Sequence, residues 1–296
     1  MEWKGRSGST NVEDARGAGR AGMGGGRGGI GMGLISLIGR KFGIKGILVA
    51  GGAFLLLWKM GIVDLNSLMG GAPVASSSAS YSAAEQERYA FVGVVLKQTE
   101  IVWAQEFSRI GRTYKEPGLQ VYSGQTRTAC GTGNAAMGPF YCPGDDKIYI
   151  DLSFYDELAR TFQAPGDFAQ AYVIAHEVGH HVQNLLGTSG KVAAMRGKPD
   201  YNQYSVRLEL QADFLAGVWA HHSMDDLRVD REDIEEAMRA ANAIGDDAIQ
   251  KKQQGKVVPH SFTHGSSEQR MRWFKKGLQS GKIEDGDTFS MPYSQL

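Results

Sequence analysis

The chain has 296 residues, 42% hydrophobic and 22% charged, a globular composition long enough for one sizeable domain or two small ones. Its 32 basic and 32 acidic residues cancel. That neutrality argues against a nucleic-acid-binding body, which shows a large basic face.

The charge is unevenly placed. Residues 1–45 hold eight Lys/Arg against three acids, so the remainder carries the opposite excess. Residues 1–42 are Gly/Arg-rich, and a stretch such as "GRAGMGGGRGG" cannot bury enough apolar surface to offset chain entropy, so a disordered head is expected there. Residues 43–63, "GIKGILVAGGAFLLLWKMGIV", are apolar except for Lys45 and Lys59. A helix of roughly 20 apolar residues crosses a bilayer. The uncharged run from Gly46 to Trp58 is shorter, so both lysines would snorkel to the head groups. One transmembrane helix over 43–63 is the expectation, with a buried or interfacial helix as the alternative. Basic residues before the span leave the head cytoplasmic and export the chain beyond residue 64. The small, polar residues 64–84 suit a flexible linker.

A soluble domain over 85–296 is expected to be α+β, mainly helical with a small sheet. An apolar stripe through Val92, Val95, Leu96, Thr99, Val102, Trp103, Phe107 and Ile110 predicts a helix over 85–111. Residues 118–126 and "KIYIDLSF" (147–154) read as strands. Between them lie Cys130 and Cys142, which pair as a disulfide if the domain is exported and stay free thiols if it is cytosolic. Next comes a helix over 168–186, with Asp167 as N-cap, Gln170 as its reciprocal partner and Gly187 as its stop.

That helix carries "YVIAHEVGHHVQ" (172–183). Ala171, Ala175, Val178, Val182 and Leu185 form its apolar stripe, while His176 and His180 stand one turn apart on another face. Both imidazoles can address one ion, and zinc takes nitrogen ligands at about 2 Å. Glu177 lies roughly 100° round the helix from His176. It is therefore placed to take a proton from metal-bound water without ligating the metal. Two solvated surface histidines are the plain alternative, but the apolar neighbours on both sides imply enclosure. A catalytic zinc needs a third ligand and an open position. In "YSVRLELQADFLAGVWAHH", Glu209 and Asp213 are spaced i, i+4. Glu209 can complete the set, and Asp213 can accept the free ring N–H of a ligand histidine.

The segments "AHEVGHHVQ", "RLELQADFLAG", "GPFYCPGDDKIYID" and "THGSSEQRMRWF", with the N-terminal "MEWKGRSGSTNVEDARG", resemble the bacterial neutral zinc metallopeptidases of the YpfJ type over essentially the whole chain. The resemblance implies a membrane-anchored, zincin-like domain; with the orientation expected from charge, this reads as a single-pass protein of a bacterial inner membrane whose C-terminal domain is periplasmic or extracytoplasmic. It also implies Zn2+ on a helix bearing His176, Glu177 and His180, and a peptide or protein substrate. The spacing of Glu209 before Asp213 is similar to that of the HtpX-type membrane peptidases.

In "SFTHGSSEQRMRWFKKG", Ser266 and Gln269 form a capping box for a helix ending near Gly277. His264 or Arg270 could stabilise the oxyanion of a tetrahedral intermediate. Alternatively, Arg270 pairs with a structural carboxylate and His264 shapes a turn. His181 points away from the ligand face and reads as a hydrogen-bonded core residue. His221 and His222 read as partners of a helix C-terminus, and His260 carries no case of its own. "KIYIDLSF" is a candidate edge strand for an extended substrate. A zinc-stabilised, non-hydrolytic interaction module, or a membrane-tethered adaptor without metal, are the rival readings.

Overall fold

The computed structural model describes residues 1–17 and 81–296. Helix α1 (Ala83–Arg109) opens on a capping box in which Ser82 and Glu85 satisfy each other's backbone N–H. Its predicted stripe is buried from Val92 to Phe107, and Ile110 is its C-cap.

A four-stranded sheet packs beside this helix in the order β1 (Val12–Asp14), β2 (Gly118–Tyr122), β6 (Lys147–Asp151), β5 (Phe140–Cys142). The pairs β1–β2 and β2–β6 are parallel, while β5 runs antiparallel to β6. Leu119 opposes Ile148 and Val121 opposes Ile150, so one face of the sheet feeds the core. The expected strand over 118–126 breaks at Gly124 (φ 74°), and a separate hairpin, β3 (Gln125–Thr128) with β4 (Gly131–Asn134), begins there. "KIYIDLSF" is not one strand: it turns at Leu152 into α2 (Ser153–Arg160). It is not an edge strand either, because β2 and β5 flank β6 on both sides. Cys130 and Cys142 form a disulfide that ties the tip of the hairpin to the end of β5.

Residues 1–17 depart from the disordered head expected over 1–42. They belong to the same compact unit as residues 82–296. Trp3 is buried edge-on against Phe91, at 5.2 Å between ring centres. Composition hid this because one tryptophan and a three-residue strand supply the contact while the surrounding glycines set the average. The transmembrane helix expected over 43–63, and the 18–42 and 64–80 parts of the head and linker, lie outside the described residues. Among the described residues no helix is long and apolar enough to cross a membrane.

Helix α3 (Asp167–Leu186) is the centre of the domain. Ala171, Ala175, Val178 and Val182 are buried as expected, but so are His176, Glu177, His181 and Gln183 on other faces. Such a helix is enclosed rather than amphipathic. The expected Asp167–Gln170 capping box does not form. Gly166 is the N-cap, and the Glu236 carboxylate accepts from the Phe168 N–H at 3.0 Å. Asp167 instead accepts from the Trp3 indole at 2.7 Å. Gly187 closes the helix in the left-handed region, φ 82°.

After the short α4 (Thr188–Ala193) come α5 (Tyr201–Ser223), α6 (Arg231–Ala243), α7 (Asp246–Gln254) and α8 (Ser267–Ser280). The Ser266–Gln269 capping box is present, but α8 runs past Gly277 to Ser280. Gly277 is an interior contact point, since a side chain there would strike the Phe214 carbonyl of α5. Close approach there brings the first turn of α8, with Arg270, against α5.

Candidate metal centre

Gly179 sits between the two histidines of α3. A Cβ there would stand 3.0 Å from the Ala212 carbonyl oxygen and 3.2 Å from the Ala212 Cα. The missing side chain lets α5 cross α3 at the height where α5 carries Glu209 and Asp213.

The crossing brings His176, His180 and Glu209 together, with one ligand atom from each lying within 4.8 Å of the others. Glu209 Oε2 is 3.2 Å from His176 Nε2 and 3.5 Å from His180 Nε2. The opposite ring nitrogens are held from behind. His176 Nδ1 faces Asp213 Oδ1 at 2.8 Å, and His180 Nδ1 faces Gln183 Oε1 at 2.9 Å. Each outer partner is an acceptor, so it keeps a proton on Nδ1 and leaves Nε2 as the coordinating nitrogen. Two neutral imidazoles and a carboxylate are a donor set that fits zinc, and among the described residues these three are the only such cluster.

Asp213 is fully buried, and a buried charge needs a partner. Arg270, also buried, gives it two hydrogen bonds, Nε to Oδ2 at 2.8 Å and Nη2 to Oδ1 at 2.9 Å. Tyr172 donates its hydroxyl to Asp213 Oδ1 at 2.5 Å. Of the two roles foreseen for Arg270, the structure fits pairing with a structural carboxylate. Its remaining Nη1 donates to the Ile244 carbonyl at 3.1 Å.

These contacts set the acidities. Burial works against the ionised Asp213, but Arg270 and His176 outweigh it and hold the carboxyl down at about 2. Burial likewise works against a charged His176, yet Asp213 and Glu209 raise its pKa to about 9. Glu209 is driven well below the usual carboxylate range by the two histidines despite its burial. Burial raises Glu177, which projects into the same space without joining the cluster.

The cluster opens into a cavity of about 660 Å³, a size typical of ligand sites. Met137, Phe140, Phe154 and Phe162 give it an apolar side, and His264 borders it too. The strand bordering the cavity is β5, through Phe140 and Tyr141, and not β6; of the predicted "KIYIDLSF" only Phe154, already in α2, lines it. His264 is half exposed, with Nδ1 3.2 Å from Asp246 Oδ1. Asp246 Oδ2 also accepts the backbone N–H groups of Thr263, His264 and Gly265. Asp246 raises the His264 pKa, helped by the charge of Glu209 nearby.

The other histidines stand apart. His181 is buried, facing the Lys115 carbonyl at 2.6 Å and the Tyr141 hydroxyl at 3.1 Å. His221 and His222 face the Leu278 and Gly281 carbonyls at the end of α8, not their own helix terminus. His260 is exposed. Three residues of the site went unread in the sequence: Tyr172, Gln183 and Asp246. Tyr172 is four residues before His176 and Gln183 three after His180, so helical spacing signalled both. Asp246 is brought to His264 by the tertiary fold, with no local signal.

The sequence matches a family described as "putative neutral zinc metallopeptidase" over residues 1–289. It is 46% identical to the uncharacterized protein YpfJ of Escherichia coli (strain K12), covering 98% of this chain and 99% of that protein. It is 43% identical to the uncharacterized protein Rv2575 of Mycobacterium tuberculosis (strain ATCC 25618 / H37Rv), covering 60% of this chain and 64% of that protein. The same figures hold for the uncharacterized protein Mb2605 of Mycobacterium bovis (strain ATCC BAA-935 / AF2122/97). No solved structure matches.

Proposed function

We propose, from the premise that this chain belongs to the neutral zinc metallopeptidase family, that its cavity is the active site of a zinc-dependent endopeptidase acting on peptides or proteins. His176, His180 and Glu209 would hold the ion. Zinc there would supply a water of lowered pKa and polarise the substrate carbonyl. Every other task falls to the chain. Glu177 takes the proton of the attacking water, and its raised pKa suits it to pass that proton to the leaving amine. Asp213 and Gln183 keep the two imidazoles in the ligating tautomer, and Arg270, which also borders the cavity, balances Asp213. His264, directed by Asp246, borders the same cavity and is the donor available to a developing oxyanion.

One observation carries this reading: three coordinating atoms converge at a cavity that a separate buried carboxylate, Glu177, also lines. Among the described residues no fourth His, Cys, Asp or Glu joins the cluster, as a closed structural zinc site would require. The test is elemental analysis of the purified chain with a peptide-library cleavage assay. We expect one zinc per chain and cleavage of a subset of peptides. Glu177→Gln should keep the zinc and lose hydrolysis by ~10²-fold or more. Turnover retained in Glu177→Gln would remove that residue from the mechanism, and a zinc-free chain that still cleaves would remove the metal.

A further inference from the structure

The cavity runs along one face of α3, on which Val173, His176, Glu177 and His180 all border it. From Val173 to His180 that face covers roughly 10 Å. Its two ends differ. Where α4 follows α3, the lining includes Ser189, Val192, Ala193 and Arg196, short side chains and an exposed cation. At the end beside Val173 it includes Phe154, Phe162 and Ile249, which are aromatic and aliphatic.

Separate parts of the chain build the apolar end. Helix α2 supplies Phe154, and the turn leading from α2 into α3 supplies Phe162. That turn is closed by the Phe162 N–H on the Glu157 carbonyl at 3.1 Å and the Ala164 N–H on the Leu158 carbonyl at 3.0 Å. To make it, Gln163 takes φ 54°, a left-handed conformation that costs a non-glycine residue energy and that clusters at functional sites. Phe162 is left half-buried at the cavity. Helix α7 supplies Ile249 and is held to the same turn by Lys252, whose Nζ donates to the Thr161 carbonyl and lies 5.6 Å from the Phe162 ring centre. The segment clipped by the Cys130–Cys142 disulfide adds Met137, which is 61% exposed. Its backbone reaches Phe154 at Gly138, where a Cβ would stand 3.4 Å from the ring.

The place of this pocket relative to the cluster sets what it can read. Val173 precedes His176 by three residues and Glu177 by four, one helical turn, so its side chain neighbours both. An extended peptide advances about 3.3–3.6 Å per residue. A substrate whose carbonyl lies over the cluster therefore brings a side chain flanking the cleaved bond to this pocket. Glu157, exposed at its rim, opposes an acidic side chain there. We propose that the protein selects substrates with a large apolar residue, aromatic above all, flanking the cleaved bond, and that Phe162 determines this choice. The proposal rests on the reading of the cavity as a peptidase site and adds the substrate class to it.

The experiment uses the zinc-loaded full chain and remakes a peptide that it cleaves with Phe, Ala, Asp or Arg on either side of the bond. On one side, kcat/KM should be about 10–100-fold higher with Phe than with Ala, and lowest with Asp. Phe162→Glu should abolish the preference for Phe and raise cleavage of the Arg peptide by about 10-fold, with zinc content unchanged. A merely structural Phe162 would instead lower every peptide alike. If Phe162→Glu fails to fold, Phe162→Ala and Ile249→Ala carry the test, each expected to shrink the preference for Phe over Ala by about 10-fold. Independently of turnover, phenylalanine hydroxamate should bind the zinc-loaded chain about 10-fold or more tighter than alanine hydroxamate in calorimetry, and Phe162→Ala should close that gap. Equal kcat/KM for the Phe and Ala peptides, or a preference untouched by the Phe162 variants, overturns the inference and leaves the peptidase reading standing. Cleavage of no peptide by a chain that holds zinc overturns the peptidase reading; the hydroxamate pair then decides the pocket, and equal affinities overturn it. A chain that takes up no zinc overturns both.

Discussion

His176 and His264 each direct Nδ1 at an aspartate, Asp213 at 2.8 Å and Asp246 at 3.2 Å, yet the two pairs are balanced by different means. Asp213 is fully buried and needs a full cation, Arg270, plus a tyrosine hydroxyl. Asp246 is nearer the surface, accepts three backbone N–H groups from the loop at 263–265, and itself sits in the first turn of α7, where the dipole favours a carboxylate. The deep pair would fix a ligand that must not move. The shallow pair holds a ring at the cavity rim, where a half-exposed side chain can shift to meet a substrate.

Breaking the deep pair should have the largest effect. Asp213→Ala strands the buried Arg270 charge and is expected to cost about 3–5 kcal/mol of stability, read from urea unfolding. It should also weaken zinc binding by ~10–100-fold. A variant with unchanged unfolding would show that Arg270 finds another partner. At the shallow pair, His264→Gln should leave stability and zinc content alone while lowering kcat by about 10²-fold, the scale of one lost oxyanion donor. A rise in KM with kcat intact would assign His264 to substrate binding instead.

Finer changes sharpen the contrast. Gln183→Leu removes the acceptor behind His180 and should cost about 10-fold in zinc affinity, measured by competition with a chelator. The metal-free protein should also show a pH signature of the deep pair. His176 has a folded pKa of about 9 against an ordinary 6.5, so its contribution to stability is complete below 6.5 and is lost as pH rises to about 9. With zinc bound the trend reverses, because coordination requires the deprotonated ring and affinity climbs by roughly tenfold per pH unit for each proton released. Unfolding midpoints at pH 6 and pH 9, with chelator and with saturating zinc, give the two slopes.

The metal helix, its C-cap, the second ligand helix and the Ser266–Gln269 box were legible because each is written at short range, as spacing along one helix. Pairwise choices that depend on tertiary approach were not. The N-cap of α3 went to Gly166 because Glu236 from α6 supplies the acceptor that Asp167 was expected to supply. The edge strand proved to be β5 because Phe140–Cys142 is too short to stand out beside "KIYIDLSF". Residues 1–17 escaped because their partners, Phe91, Glu100 and Leu119, come from distant parts of the chain.

The contact at Gly179 bears on which ion the protein accepts. Since α3 meets α5 backbone to backbone there, the span between the two imidazoles and the Glu209 carboxylate is gauged by the absence of one methyl group. Adding it would spread the donors, and a wider nest suits larger, oxygen-preferring cations over small nitrogen-preferring ones. Metal choice at the proposed centre would thus be written partly in a residue outside the ligand set.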